Sequence, residues 1–356
     1  MIRRAATSGM SGATQDQSIL ATSFRIGRLE IPNRVVLAPM AGFTTSAYRQ
    51  HLKEYGVGLV FTEMVSAYGL VYGNTRTVDY LRFVPAERPI AVQLFGDSPE
   101  IMARAAELVL SRPNVPDLLD VNMGCPVRKV MKTGAGAALL ADPERAVAVA
   151  AAVVRVASSL GVPVTVKLRS GLHRGERLAL DLAPRLEAVG IQALTVHPRA
   201  AEDHYRGHAD HSLTAEVARA VSIPVIASGD IHNGAVALKL VLDTGAAAVM
   251  LARGALGDPW LVRSLLDHGE RKRPSLEEAV ADLRRLLAKV SAEMGPERGV
   301  RWIRKLLGRY LRPAGVASTT LRELQILSSA EALDRALAAL EKGRPVPAPN
   351  LMAVDK

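Results

Sequence analysis

The sequence predicts a TIM (β/α)8 barrel followed by an all-helical C-terminal domain, and three observations predict it. Eight short apolar runs alternate with helix-like stretches between Arg34 and Leu251, the pattern that builds a parallel sheet. The eight run-and-helix repeats fill about 230 residues, close to the roughly 250 of a closed eight-unit barrel, and no G-x-G-x-x-G follows the first run. Past Gly269 only helical periodicity remains.

The runs are Val35–Pro39, Gly58–Glu63, Ile90–Leu94, Leu118–Asn122, Val164–Lys167, Ala193–His197, Val225–Ser228 and Ala247–Leu251. Helices read between them at Pro99–Leu110, in the alanine-rich Pro143–Ser159 and at Ala235–Leu242, each bounded by Gly, Pro or Asp. The helical domain opens on a capping box, Ser275 with Glu278, ahead of Val280, Leu283, Leu286 and Leu287. Its most informative helix is Val300–Leu311, where Ile303, Leu306, Leu307, Tyr310 and Leu311 form a buried stripe and Arg301, Arg304, Lys305 and Arg309 share another face. The expected organisation is a flexible tail over 1–21, the barrel over 22–268, the helical domain over 269–345 and a second tail over 346–356.

Composition narrows the function classes. With 356 residues, 49% hydrophobic and 22% charged, the chain can bury a large core, which excludes extended disorder. The longest apolar stretch, Ala146–Val154, falls far short of the roughly 18 residues of a membrane span, so no membrane partner is expected. A single cysteine excludes a disulfide framework, and no Cys/His cluster has zinc spacing; a reducing, cytoplasmic setting without a metal follows. The first eighteen residues carry Arg3 and Arg4 but no apolar core of a secretory signal. No feature calls for an obligatory protein partner.

The net charge is +10, with a surplus of seven in 271–356 and three before it. A basic segment of that kind fits a polyanion such as nucleic acid, or simply a solvated surface. On a domain appended to a catalytic-looking barrel, Arg301, Arg304, Lys305 and Arg309 favour a track for phosphates.

In such a barrel the carboxyl ends of the strands converge on one mouth. Here they carry Glu63, Gln93, Asn122 and Cys125, Lys167 and Arg169, and His197 and Arg199. One polar strand end is commonly structural; five around one mouth point to a site. The first strand ends in LAPMAGF, whose small residues leave room for a flat ligand. The seventh and eighth loops, ASGDIHNG and LARGALGDP, are glycine-rich and lead into helices, where free amides together with Arg253 suit a phosphate. Together these features favour FMN over a longer dinucleotide. Lys167 would then stabilise negative charge on the reduced ring or, failing that, pair with an acid, and Gln93 and Asn122 would offer amides. Cys125 suits a general acid; a nucleophile would need a base such as His197, and an inert thiol is the remaining reading.

The strings LAPMAGF, FTEM, VQLFGD, VNMGCPVRK, VKLRSG, VHPR, YRGHADH and SGDI, in this order, resemble the tRNA-dihydrouridine synthase family, in particular its bacterial B-type branch, and the resemblance continues through Trp302–Leu311. It implies an FMN enzyme that reduces the 5,6 double bond of tRNA uridines, with NADPH recharging the flavin. By similarity, Pro39, Met40 and Ala41 hold the flavin edge, Gln93, Lys167 and His197 contact or flank the ring, and Ser228, Gly229, Asp230, Ala252 and Arg253 secure ribityl and phosphate. Cys125 gives the proton to carbon 5, while Asn122, Arg128, Lys129, Lys132 and Arg199 face the tRNA together with the cations of the helical domain. The chain departs from the family pattern at Thr45, Pro198, Ala200 and Ala252. Two rival readings are a dihydroorotate dehydrogenase-like flavoprotein acting on a free pyrimidine, which leaves the basic domain unexplained, and a non-catalytic RNA-binding protein.

Overall fold

The structure, a computed structural model, describes residues 18–267 and 273–344. Most of the expected N-terminal tail, the junction at 268–272 and the C-terminal tail lie outside the described residues. Ser18–Ala21, placed in the tail by the sequence, instead form a 3-10 turn, because Leu20 is buried against the barrel flank.

A hairpin of β1 (Phe24–Ile26) and β2 (Leu29–Ile31) comes first. The sequence reading had no strand there, since three-residue strands are too short to show a period. Its turn needs Gly27, which has φ +55° and where a Cβ would lie 2.3 Å from Gln192 Oε1. The barrel strands follow: β3 (Val35–Leu37), β4 (Val60–Phe61) with its continuation β5 (Val65–Ser66), β6 (Ile90–Phe95), β7 (Leu118–Met123), β8 (Val164–Arg169), β9 (Ala193–His197), β10 (Val225–Ser228) and β11 (Ala248–Leu251). Neighbours are parallel, in the order β3-β11-β10-β9-β8-β7-β6-β4, with β5 also on β6. A parallel bridge from Val36 to Leu59, reinforced by the Leu37 amide on the Leu59 carbonyl at 2.9 Å, closes the cylinder.

Period-two alternation sorts the strand residues. Val36, Leu59, Phe61, Ala91, Leu118, Ala193, Ile226, Ala248 and Met250 point inward and pack with Phe24, Ile26 and Ile31, so the hairpin plugs the amino-terminal end of the barrel. Two residues further along β6, β7, β9 and β10, the inward positions become polar, at Gln93, Asp120, Thr195 and Ser228.

From Leu276 the chain is helical: Leu276–Met294, Pro296–Leu311, Ser318–Ile326 and Ala330–Glu341. Ser275 and Glu278 make the capping box. These helices share one apolar cluster with the barrel flank, joining Leu283, Leu286, Ile303 and Leu306 to Tyr48, Leu52 and Leu261. Asp282 sits at the joint, 2% exposed, accepting from His51 (2.9 Å), Tyr55 (2.7 Å), Tyr310 (2.9 Å) and Arg285 (2.5 Å).

Candidate functional site

The inward polar positions make a ladder up the barrel. Register pairs Gln93 with Asp120, Asp120 with Thr165, Asn122 with Lys167, and Arg169 with His197. Asp120, fully buried on β7, accepts from Thr165 Oγ1 at 2.6 Å and from Gln93 Nε2 at 2.7 Å. Burial raises its carboxyl to about 7 against the lowering effect of those two donors. Gln93 Oε1 in turn accepts from Asn122 Nδ2 at 2.8 Å, and Asn122 Oδ1 accepts from the amides of Gly124 and Cys125 at 3.1 and 2.9 Å.

Cys125 thus stands at the top of a hydrogen-bonded column, and the far side of its loop is tied down as well. Arg169, 2% exposed, donates from Nε to the Gly124 carbonyl and from Nη1 to the Ala200 carbonyl, both at 2.9 Å. The thiol is half-buried and free. Burial pushes its pKa up, outweighing the Val127 amide and the Arg169 and Lys167 cations, which lower it. A thiol in that state is protonated at neutral pH and can donate.

Lys167 is half-buried, and among the described residues its ammonium has no carboxylate within ion-pair distance. Desolvation and the Arg169 charge lower it to about 8, against Asp120 and Cys125. Burial, reinforced by the neighbouring Lys167, Arg169 and Arg199 charges, holds the His197 pKa well below the usual value. The neutral ring accepts from Arg199 Nη1 at Nε2 (3.1 Å), so Nδ1 carries the proton. A Cβ on Gly229, whose φ is +120°, would lie 3.0 Å from this ring, which makes glycine necessary there.

Several expected residues serve the frame instead of facing a ligand. Arg199 is 3% exposed and ion-paired with Asp230, and it also donates to the Arg206 and Gly207 carbonyls; this corrects its expected place against substrate, because its donors are already used. The Asp230 carboxylate also accepts the Ala209 amide, so only its backbone is free for an anion. Asn122 braces the cysteine loop, and Gln93 is spent on Asp120 and Asn122 apart from one amide hydrogen. Met40 donates to Thr44 Oγ1 and accepts from Phe43 and Thr44, leaving the backbone amide of Ala41 and the carbonyls of Pro39 and Ala41 for a ligand.

Across the mouth, the N–H groups of Gly229, Asp230, Ala252 and Arg253 find no acceptor among the described residues, with Ser228 buried just below. Arg253 is exposed, and its guanidinium lies 4.7 Å from the Tyr205 ring, which also faces Arg169 at 5.5 Å. On the opposite rim the short helix Arg128–Met131 presents exposed Arg128, Lys129 and Lys132. Arg128 and Lys132 help line a cavity of about 390 Å³ with Pro126, Leu172, His173 and His204.

On the helical region Arg301, Lys305 and Arg309 are exposed, whereas Arg304 turns back to the Leu327 carbonyl; the four cations do not form one track. Lys305 reaches the mouth, 3.0 Å from the Gly42 carbonyl and 5.3 Å from the Phe43 ring. Thr45 caps the barrel helix Ser46–Glu54, and the anion at that helix start comes from Glu293 of the helical region, which accepts from the amides of Ser46 and Ala47 at 3.2 and 2.6 Å.

The sequence reading missed Asp120, the clamping role of Arg169, and Tyr205. A polar residue two places before a strand-end polar residue, on an otherwise apolar strand, was the available signal for Asp120. The other two depend on contacts between loops.

Fold and site together define a (β/α)8 enzyme whose mouth combines a protonated thiol, an unpartnered lysine and a backbone anion nest. Residues 36–342 match the family described as Dihydrouridine synthase (Dus), and the chain belongs to that family. It is 38% identical over 292 residues to tRNA-dihydrouridine synthase B of Pseudomonas aeruginosa, covering 81% of this chain and 86% of that one. It is 37% identical to the probable tRNA-dihydrouridine synthase 1 of Synechocystis, covering 89% of each. Among solved structures, the old yellow enzyme of Trypanosoma cruzi aligns with a TM-score of 0.56 at 11% identity, over 77% of this chain and 97% of that one. Histamine dehydrogenase from Rhizobium sp. 4-9 aligns equally well at 14% identity, this chain spanning about half (51%) of that longer enzyme. At these identities the two structures bear on fold alone.

Proposed function

We propose that this chain reduces the 5,6 double bond of uridines in tRNA to give dihydrouridine, with FMN as bound cofactor and NADPH as reductant. The single observation that carries this reading is the pairing of a loop-clamped, protonated Cys125 with an unpartnered Lys167 across the same barrel mouth. The residues fit FMN: four free N–H groups beside Arg253 suit a phosphate dianion, and the close approach allowed by Gly229 brings the loop against His197. A cation without a carboxylate partner at Lys167 suits a ring that gains negative charge. When bound, FMN supplies hydride to carbon 6 of the uracil.

The protein's own part is positional and protonic. Cys125 Sγ–H gives its proton to carbon 5 as negative charge develops there, and solvent at the rim restores it. The Thr165–Asp120–Gln93–Asn122 column and Arg169 hold the loop so that the sulfur stays at the mouth. His197, neutral with its proton on Nδ1, offers a donor without adding charge. Arg128, Lys129, Lys132, Arg301, Lys305 and Arg309 meet the phosphates of an RNA whose target base is unpaired or extruded. Such a substrate implies a cytoplasmic setting.

The direct test is to incubate purified holoprotein with NADPH and unmodified tRNA and to assay dihydrouridine. Product is expected with tRNA and none with free uracil or orotate. Turnover of the free pyrimidine would favour the dihydroorotate dehydrogenase-like alternative.

A further inference from the structure

Four of the chain's seven tyrosines are exposed, and three of them fall within a thirteen-residue segment: Tyr68 (37%), Tyr72 (75%) and Tyr80 (44%). The first two stand one helical turn apart on Ala67–Val71 and its cap, their rings stacked at 6.2 Å with an interplanar angle of 22°. This turn follows β5, so it lies on the same rim as Cys125. Tyr68 faces Asp97, and Asp97 packs against Gly134, where a Cβ would lie 3.3 Å from its own, on the loop that carries Cys125 and the exposed Arg128, Lys129 and Lys132. Of the nearby acids, Asp79 is ion-paired with Arg82 and Glu100 accepts from Ser98 Oγ. Arg76 is exposed, with no carboxylate partner among the described residues.

Resting on the tRNA reading above, we propose that the stacked Tyr68–Tyr72 pair is a platform on which an unpaired nucleobase of the tRNA, other than the reacting uridine, stacks while its flanking phosphates meet Arg76 and the Arg128–Lys132 turn. An exposed ring face beside unpaired cations is the pairing of chemistries that single-stranded nucleic acid recognises. Its outer ring, three-quarters open to solvent, contributes little to the core and has one free face.

The test uses the full holoprotein. Tyr72→Ala and Tyr68→Ala are expected to weaken binding of unmodified tRNA roughly 5- to 150-fold, to raise KM with kcat nearly kept, and to leave cofactor content, thermal melting and the salt slope of binding unchanged. Tyr72→Trp should retain affinity, its fluorescence quenched by tRNA but not by inorganic polyphosphate. Alanine variants that bind tRNA like the parent would overturn the platform, as would a tyrosine-dependent dimer in light scattering, which would make the pair a protein contact. A parent protein that fails to bind or reduce tRNA takes the functional reading and the platform down together; a parent that reduces tRNA while Tyr72→Ala is unaffected sinks the platform alone.

Discussion

Cys125 is chemically useful because of what it lacks: among the described residues its thiol has no basic hydrogen-bond partner, and burial raises its pKa, so the proton stays on until something stronger takes it. General acid help of this kind is worth about 100- to 10,000-fold. Cys125→Ala is therefore expected to keep cofactor and tRNA binding while losing turnover by that factor in single-turnover assays; near-normal rates would remove it from the chemistry. Asp120 acts at one remove. Asp120→Leu strands the buried Thr165 and Gln93 donors and should lower both the melting temperature and the rate, while Asp120→Asn, which can still accept from Thr165 but turns a donor towards Gln93 Nε2, should melt closer to the parent and still lose rate because the Gln93–Asn122 brace is not restored. Lys167 sets a pH limit. Held down to about 8, it loses its charge as pH rises through that value, so FMN affinity of the cofactor-free protein is expected to fall from pH 7 to 9. Lys167→Met should bind weakly with no such slope, whereas a flat wild-type profile would place the lysine outside the cofactor site.

At the scale of elements, the helical region is fastened to the barrel helix Ser46–Glu54 at three points: Glu293 on its amino terminus, Lys289 with Glu54 near its end, and Asp282 between His51 and Tyr55. The Asp282 carboxylate is held down to about 2 because four donors outweigh the cost of its burial. A depressed carboxylate contributes stability that is present above its unfolded value near 3.9 and is lost as pH falls towards the folded value. Urea unfolding at pH 3 and 6 should show a larger difference for the parent than for Asp282→Asn. Asp282→Ala, which strands buried donors, is expected to cost about 3–5 kcal/mol.

For the whole molecule, the continuous cluster of Ile303, Leu306, Tyr48 and Leu52 means that the helical region is more than a detachable RNA handle. Deleting it would bare this face, so charge changes are the cleaner probe of its role. Arg301→Glu and Arg309→Glu should each weaken tRNA binding and reduce the slope of log affinity against log salt by about 0.7–0.9. Arg304→Gln, whose guanidinium is turned inward, should leave that slope unchanged; equal effects from all three would restore the single basic track that the sequence reading expected.

Much of the fold was legible because apolar runs and helical stripes are local periodicities: β9 and β10, the helix Pro99–Leu110 and the Ser275–Glu278 cap stand as read. The motif-bearing strand ends likewise determined which residues would gather at one mouth, since parallel strands must present those ends together. What each residue does there was decided only by the tertiary structure. Arg199 and Asp230 neutralise one another, Asn122 braces a loop, Arg304 folds back, and β1–β2 plugs the barrel floor, because hydrogen bonds and charge pairing depend on distances between segments that the order of residues does not contain.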